Sequence, residues 1–279
     1  MKRSQFERLT IACLALYAAG SACVVVRLAV NAPVTFELIA ACTLAFFVFA
    51  VLHSTLTLGS RHTAVFVVVC SSICLLFELL GTSRGWIFGP YYYTDLLGSK
   101  FLDLVPIVIP LAWFMMTYSS YALANALVHG GGSVAGRPTK AGQRSSWPRL
   151  LWLVFLSAMI MTSWDLMNDP VNVAGGNWVW MEKGAYFGIP LSNYAGWFFT
   201  TFVVYLLYRL YERATAPEHR QVTDRSFALL PMLAYAVTML ANVGALTLNG
   251  QTGPALVGLF SMGAFLAAFV SLQFADAQA

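Results

Sequence analysis

Charged residues are scarce in this chain. They make up 10% of its 279 residues, against about a quarter in soluble domains. That scarcity excludes an ordinary soluble globule and a disordered, self-repelling chain. Histidine is scarce as well. His53, His62, His129 and His219 fit neither HxxxH nor HxxHH spacing, so an oxygen-dependent di-iron hydroxylase or desaturase has no ligand set. The five cysteines (Cys13, Cys23, Cys42, Cys70 and Cys74) fall inside apolar runs. They form no CxxC pair and no Cys/His cluster of zinc type, and read as small apolar residues. The four lysines lie in loops or at the terminus, which argues against a retinal Schiff base within a bundle. No P-loop and no GxGxxG after a strand are present, so no nucleotide or flavin site is visible. No helix carries a run of arginines that would sense voltage.

What the chain has is apolar length. Residues of the AVILMFWYC set make up 59% of it, and its mean hydropathy is +0.70. These values predict an all-α, polytopic membrane bundle in a single transmembrane domain over residues 1–279. About 20 apolar residues span the hydrocarbon. Eight such spans are read at roughly 9–30, 35–58, 63–81, 104–128, 150–168, 194–212, 226–248 and 254–274. Each must be helical, because lipid offers the backbone no hydrogen bonds. The first is longer than a secretory h-region and lacks a clear A-x-A site, so it is read as a helix.

Basic residues set the expected orientation. With the N-terminus inside, Lys2, Arg3, Arg8, Arg61, Arg137, Lys140, Arg144, Arg149, Arg209, Arg213, Arg220 and Arg225 fall inside. Arg27, Arg84, Lys100 and Lys183 fall outside, a split of 12 against 4 that accounts for all 16. The positive-inside rule then places both termini in the cytoplasm, with the chain multi-pass in the cell membrane. Charge sorted by membrane side, with a net value of only +4, also argues against nucleic acid as a partner. The acids sort the other way. Glu37, Glu78, Asp95, Asp103, Asp165, Asp169 and Glu182 lie at or beyond outer span ends. Acids contribute little to topology, so this bias points to a site at the outer end. The segment 129–149 reads as a flexible inner linker and 213–225 as a solvated loop.

Three stretches carry the chemistry. In the first, Glu78 sits near the outer end of the third span, before Trp86 and the run Gly89-Pro90-Tyr91-Tyr92-Tyr93. A carboxylate at that depth faces a cavity, snorkels to the interface or pairs with Arg84. In the second, Ser163-Trp164-Asp165-Leu166-Met167-Asn168-Asp169-Pro170 places Asp165 and Asp169 on one helix face, and Pro170 is expected to end the helix. Such a pair can bind a cation or share a proton. The third runs from Gly176-Asn177-Trp178-Val179-Trp180 through Gly184-Ala185-Tyr186-Phe187-Gly188-Ile189-Pro190-Leu191-Ser192-Asn193-Tyr194-Ala195-Gly196-Trp197. An interfacial aromatic belt explains any single ring. It does not explain Gly184, Gly188 and Pro190, which suggest an ordered loop folded over the bundle mouth.

Taken together, these stretches resemble the carotenoid biosynthesis membrane-protein family over roughly residues 37–215, most closely in the third. The resemblance implies cofactor-free hydration, without metal, of the terminal C=C of an acyclic carotenoid end to a tertiary alcohol. It implies a carotenoid substrate held within the bilayer, and other membrane enzymes of the pathway as partners. The residue roles are argued from chemistry. A carboxylic acid must protonate the alkene, aromatic faces must stabilise a tertiary cation, and a carboxylate or amide must orient water. Asp165, Asp169 and Glu78 supply the acid and base. Asp165 lies deeper in its span, which favours it as the acid, though the residues alone do not divide the roles. Trp164, Trp178, Trp180 and Tyr186 are candidates for the cation-facing wall. Asn168 and Asn193 are candidates to place water, and Trp86, Tyr91 and Trp197 complete the expected binding surface. Two other readings stay open at this point: an Mg-dependent polyprenyl transferase or cyclase using Asp165 and Asp169, and a non-enzymatic transporter.

Overall fold

The computed structural model describes residues 3–130, 146–215 and 225–278. The expected inner linker and the loop at 213–225 fall largely outside these. So do Lys2, Arg137, Lys140, Arg144 and Arg220 among the charges that set the expected orientation. The chain opens with α1 (Arg3–Ala29), α2 (Phe36–Leu58), α3 (Ser60–Arg84) and β1 (Tyr91–Tyr93). A single 3-10 turn (Asp95–Leu97) and the short strands β2 (Lys100–Phe101) and β3 (Val105–Pro106) lead into α4 (Val108–His129). Then come α5 (Trp147–Ala174), β4 (Trp178–Trp180), α6 (Leu191–Thr215), α7 (Arg225–Ala228), α8 (Leu230–Leu248) and α9 (Thr252–Gln278). Each of the eight expected spans is present as a long helix in an all-α membrane bundle. Two small antiparallel ribbons, β1 with β4 and β2 with β3, are added to it.

Six of the long helices (α1, α2, α3, α5, α8 and α9) are long and apolar enough to cross a membrane. The exceptions, α4 and α6, have a common reason. The helix α4 stands at the centre, against α2, α3, α5, α8 and α9, and 15 of its 22 residues are buried. Its Thr117, Ser119, Ser120 and Asn125 therefore pack against protein, where polar groups find partners. On α6, Arg209, one of the charges counted on the inner side, is buried inside the bundle. It donates to Asn125 Oδ1 at 3.1 Å and Ser157 Oγ at 3.3 Å. It also sits 4.5 Å over the Tyr121 ring and 3.7 Å from Glu212 Oε2. A buried cation needs such a shell to offset its lost hydration.

Two prolines behave differently from a simple reading. Pro170 does not end α5, which continues to Ala174. A proline at 170 has no N–H for the carbonyl of Leu166, four residues earlier. Tyr186 donates its hydroxyl to that carbonyl at 2.8 Å. The helix survives its proline because a side chain supplies the missing donor. Pro231, at the start of α8, has the opposite effect. It splits the expected 226–248 span into α7 and α8 at Leu229.

Candidate active site

The site is roofed by the ribbon of β1 and β4. Its register pairs Tyr91 with Trp180, Tyr92 with Val179 and Tyr93 with Trp178. Side chains alternate across a strand, so one face turns inward and the other out. Tyr92 and Val179 are exposed, while Tyr91, Tyr93 and Trp178 are buried. The ribbon is anchored beyond its ends. Thr94 donates through its N–H to Asn177 O at 3.0 Å, and the Met181 N–H donates to Pro90 O at 3.0 Å. Lys100 bonds Tyr93 O at 2.8 Å and Asp95 at 2.7 Å. That ammonium holds the exposed Asp95 carboxyl below its usual range.

Each strand solvates a different carboxylate. Glu78, at the end of α3, accepts hydrogen bonds at Oε2 from the hydroxyls of Tyr91 and Tyr93, the latter at 2.8 Å. Its Oε1 accepts from Trp113 Nε1 at 3.1 Å. Burial and the adjacent Glu78 charge push both phenols well above the ordinary tyrosine range, so they remain donors. Asp169, on α5, accepts at Oδ1 from Trp178 Nε1 at 2.5 Å and Trp180 Nε1 at 3.2 Å. Asn193, on the first turn of α6, bridges the two aspartates. Its Nδ2 donates to Asp165 Oδ2 at 2.8 Å and Asp169 Oδ2 at 2.7 Å. The other oxygen of Asp165 is buried without a hydrogen-bond partner.

Below the ribbon lies a cavity of about 400 Å³, with walls from α1, α2, α3, α4, α5, α6 and α8. That volume suits a small molecule or one end of a longer one. Glu78 and Asp169 line it, as do Tyr91, Tyr93, Trp113, Trp164, Trp178, Trp180 and Trp197. Trp113 and Trp197 stack at 4.0 Å with an interplanar angle of 5°, and Trp164 meets Trp197 edge-on at 5.6 Å. Close packing of α6 needs Gly196, where a Cβ would collide with the Ile87 carbonyl. Ser192 fastens the same loop by donating to Phe88 O at 2.9 Å.

The expected residues fall into three groups. Glu78, Asp169, Trp164, Asn168, Tyr91, Trp178, Trp180, Asn193 and Trp197 share the cavity wall. Asp165 stands one layer behind, fully buried and joined to the wall through Asn193. Of the two aspartates it is therefore Asp169 that lines the cavity, although Asp165 lies deeper in the span. Trp86 and Tyr186 are not on the wall. Trp86 is 62% exposed, and Tyr186 faces the back of α5, where it serves the Leu166 carbonyl. Arg84 makes no pair with Glu78, whose partners are two tyrosines and a tryptophan. The lining residues that the sequence reading did not assign to the site include Tyr93, Trp113, Asn172, Asn177, Asn242 and Asn249. The alternation in Tyr-Tyr-Tyr and Trp-Val-Trp was the available signal for Tyr93. Trp113 and Asn242 sit in spans that carry no motif.

This is a polytopic helical membrane protein whose bundle mouth holds buried carboxylates among aromatic side chains. The chain belongs to the carotenoid biosynthesis protein family, which it matches over residues 34–265. It is also similar to the bisanhydrobacterioruberin hydratase of Haloarcula japonica, with 29% identity over 161 residues. That stretch covers 57% of this chain and 49% of the hydratase, so the match spans about half the length of that relative. No solved structure matches the chain.

Proposed function

We propose that this chain is a carotenoid hydratase that adds water across the terminal C=C of an acyclic end group, giving a tertiary alcohol without a cofactor. The observation that carries the reading is the donor set of the carboxylates. Glu78, Asp165 and Asp169 bond only neutral tyrosine, tryptophan and asparagine groups, with Glu78 and Asp169 at the wall of an aromatic-lined cavity and Asp165 one layer behind. A diphosphate-binding transferase would need Lys or Arg beside these acids. Asn193 also turns donors, which repel a cation, toward both aspartates. Among the described residues no group of three or more His, Cys, Asp and Glu side chains could hold a metal ion.

The roles follow from position. Two buried carboxylates one turn apart, with only an amide between them, hold a proton in common. Asp169 presents it to the cavity, and Asp165 with Asn193 backs it. The π pair of the terminal C=C takes this proton to form a C–H bond, leaving a tertiary cation. Glu78, fixed by three donors, faces that cation together with the surrounding rings. Water adds its lone pair to the cation, and its extra proton returns to the aspartate pair. The site end of the bundle faces away from the cytoplasm in this reading, following the distribution of basic residues.

The test is product analysis in a host that makes acyclic C40 or C50 carotenoids. A product heavier by one water, absent with Asp169→Asn, supports the reading. Unchanged carotenoids in both hosts, with the protein present in the membrane, would refute it.

A further inference from the structure

The cavity has two unlike walls. On the α1–α2 side it is lined by Val24, Leu28, Val34, Phe36 and Ile39. The remaining lining includes asparagines from α5, α8 and the residues after them. Asn168 and Asn172 are four residues apart on α5, Asn242 lies on α8, Asn249 follows the last residue of that helix, and all four line the cavity together with Asn177. The spacing of Asn168 and Asn172 puts them on one helix face. Asn177 donates to Asn172 Oδ1 at 2.7 Å, and Asn172 donates to Asn168 Oδ1 at 3.0 Å. This hydrogen-bonded row runs from beneath the ribbon to the residue beside Asp169. Asn242 also lines the cavity, and its side-chain Nδ2 is buried without a partner. A buried amide donor that has no protein partner calls for a water, which takes two to four polar partners.

We propose that the asparagine lane of α5 and α8 holds and aims the water that captures the cation, while the α1–α2 wall takes the hydrocarbon chain. The inference rests on the hydratase reading and adds to it a division of labour: the carboxylates make the cation and the amides decide its fate. These asparagines are positioning residues. A tertiary cation that meets water forms a C–O bond and, after loss of the oxonium proton, an alcohol. A cation that meets no water gives back a proton from an adjacent carbon and reforms an alkene. In heavy water that recovered alkene carries deuterium.

The experiment uses full-length protein in membranes supplied with an acyclic carotenoid in deuterium oxide, with alcohol and alkene followed by mass spectrometry. Asn242→Leu and Asn172→Leu should each lower alcohol formation about five- to tenfold, the loss expected when one hydrogen bond to water is removed. Deuterium in the recovered alkene should persist or rise. Asn242→Ser, which keeps a donor, should recover part of the alcohol. An unchanged alcohol yield in both leucine variants would overturn the proposal. So would a parallel fall of alcohol and alkene deuterium, because a merely structural role lowers both. Failure of the hydratase reading itself looks different: the unsubstituted protein would then give neither alcohol nor deuterated alkene.

Discussion

Tyr93 and Trp178 face each other in register across the β1–β4 ribbon, their rings 5.6 Å apart and nearly perpendicular. They donate to carboxylates on different helices, Tyr93 to Glu78 and Trp178 to Asp169. Tyr91 and Trp180 repeat the arrangement one step along, with rings 5.0 Å apart. The ribbon therefore fixes α3 and α5 relative to each other through the carboxylates themselves.

The two tryptophans should not be equal. Trp178 Nε1 lies 2.5 Å from Asp169 and Trp180 Nε1 3.2 Å. Replacement by phenylalanine keeps most of the ring and deletes the donor. A hydrogen bond to a charged group contributes about 1.5–3 kcal/mol. Trp178→Phe should thus cut hydration roughly ten- to a hundredfold, and Trp180→Phe clearly less. Initial rates of alcohol formation in membranes check the ranking, and a reversed order would contradict the geometry.

Asn193 is the only side chain in hydrogen-bond contact with both aspartates among the described residues. Asn193→Leu leaves two buried carboxyl groups facing each other with no donor between them. A buried polar group stripped of its partner costs about 1–3 kcal/mol, more when charged. The variant should lose activity and melt earlier in detergent. Adding Asp165→Leu should recover thermal stability without recovering activity. A melting temperature unchanged by Asn193→Leu would show that the bridge carries no strength.

Pro170 and Tyr186 form a pair that a double-mutant cycle can read. Tyr186→Phe alone orphans the Leu166 carbonyl and should destabilise by about 1–3 kcal/mol. In a Pro170→Ala background residue 170 regains its N–H, bonds Leu166 itself, and the same substitution should cost little. Equal costs in both backgrounds would mean that Tyr186 stabilises by packing on Tyr194 and Phe187 rather than through its hydroxyl.

The side of the membrane can be tested at Met181, which is 69% exposed beside the ribbon. In a cysteine-free background, Met181→Cys should react with an impermeant maleimide added to intact cells. Protection in intact cells with reaction in lysed ones would place the site on the cytoplasmic side.

Much of this architecture was legible in the sequence because lipid imposes a strong rule: long apolar runs must be helices. The carboxylates were legible for the same reason, since Glu78 and Asp165 stand where charge is costly. Pairing between β1 and β4 was not, because it joins segments separated by two whole spans and local pattern carries no register between them. Trp113 was hidden by its setting, a lone indole in an apolar span that reads as packing. The continuation of α5 past Pro170 was hidden because its cause, Tyr186, lies in another loop. The burial of Arg209 was hidden because its shell, Asn125, Ser157 and Tyr121, lies on other helices.

Two donors of Glu78 and two of Asp169 lie close to their carboxylate along the chain. Tyr91 and Tyr93 follow Glu78 by 13 and 15 residues. Trp178 and Trp180 follow Asp169 by 9 and 11. Closing loops this short costs little chain entropy. During synthesis, Glu78 can therefore meet Tyr91 and Tyr93 before α5 exists, and Asp169 can meet its two indoles before α6 exists. What joins the halves later is neutral: backbone bonds, ring edges and the Trp113 indole. Each half thus brings two donors to one carboxylate by itself, and Asp165 waits for Asn193, 28 residues further on.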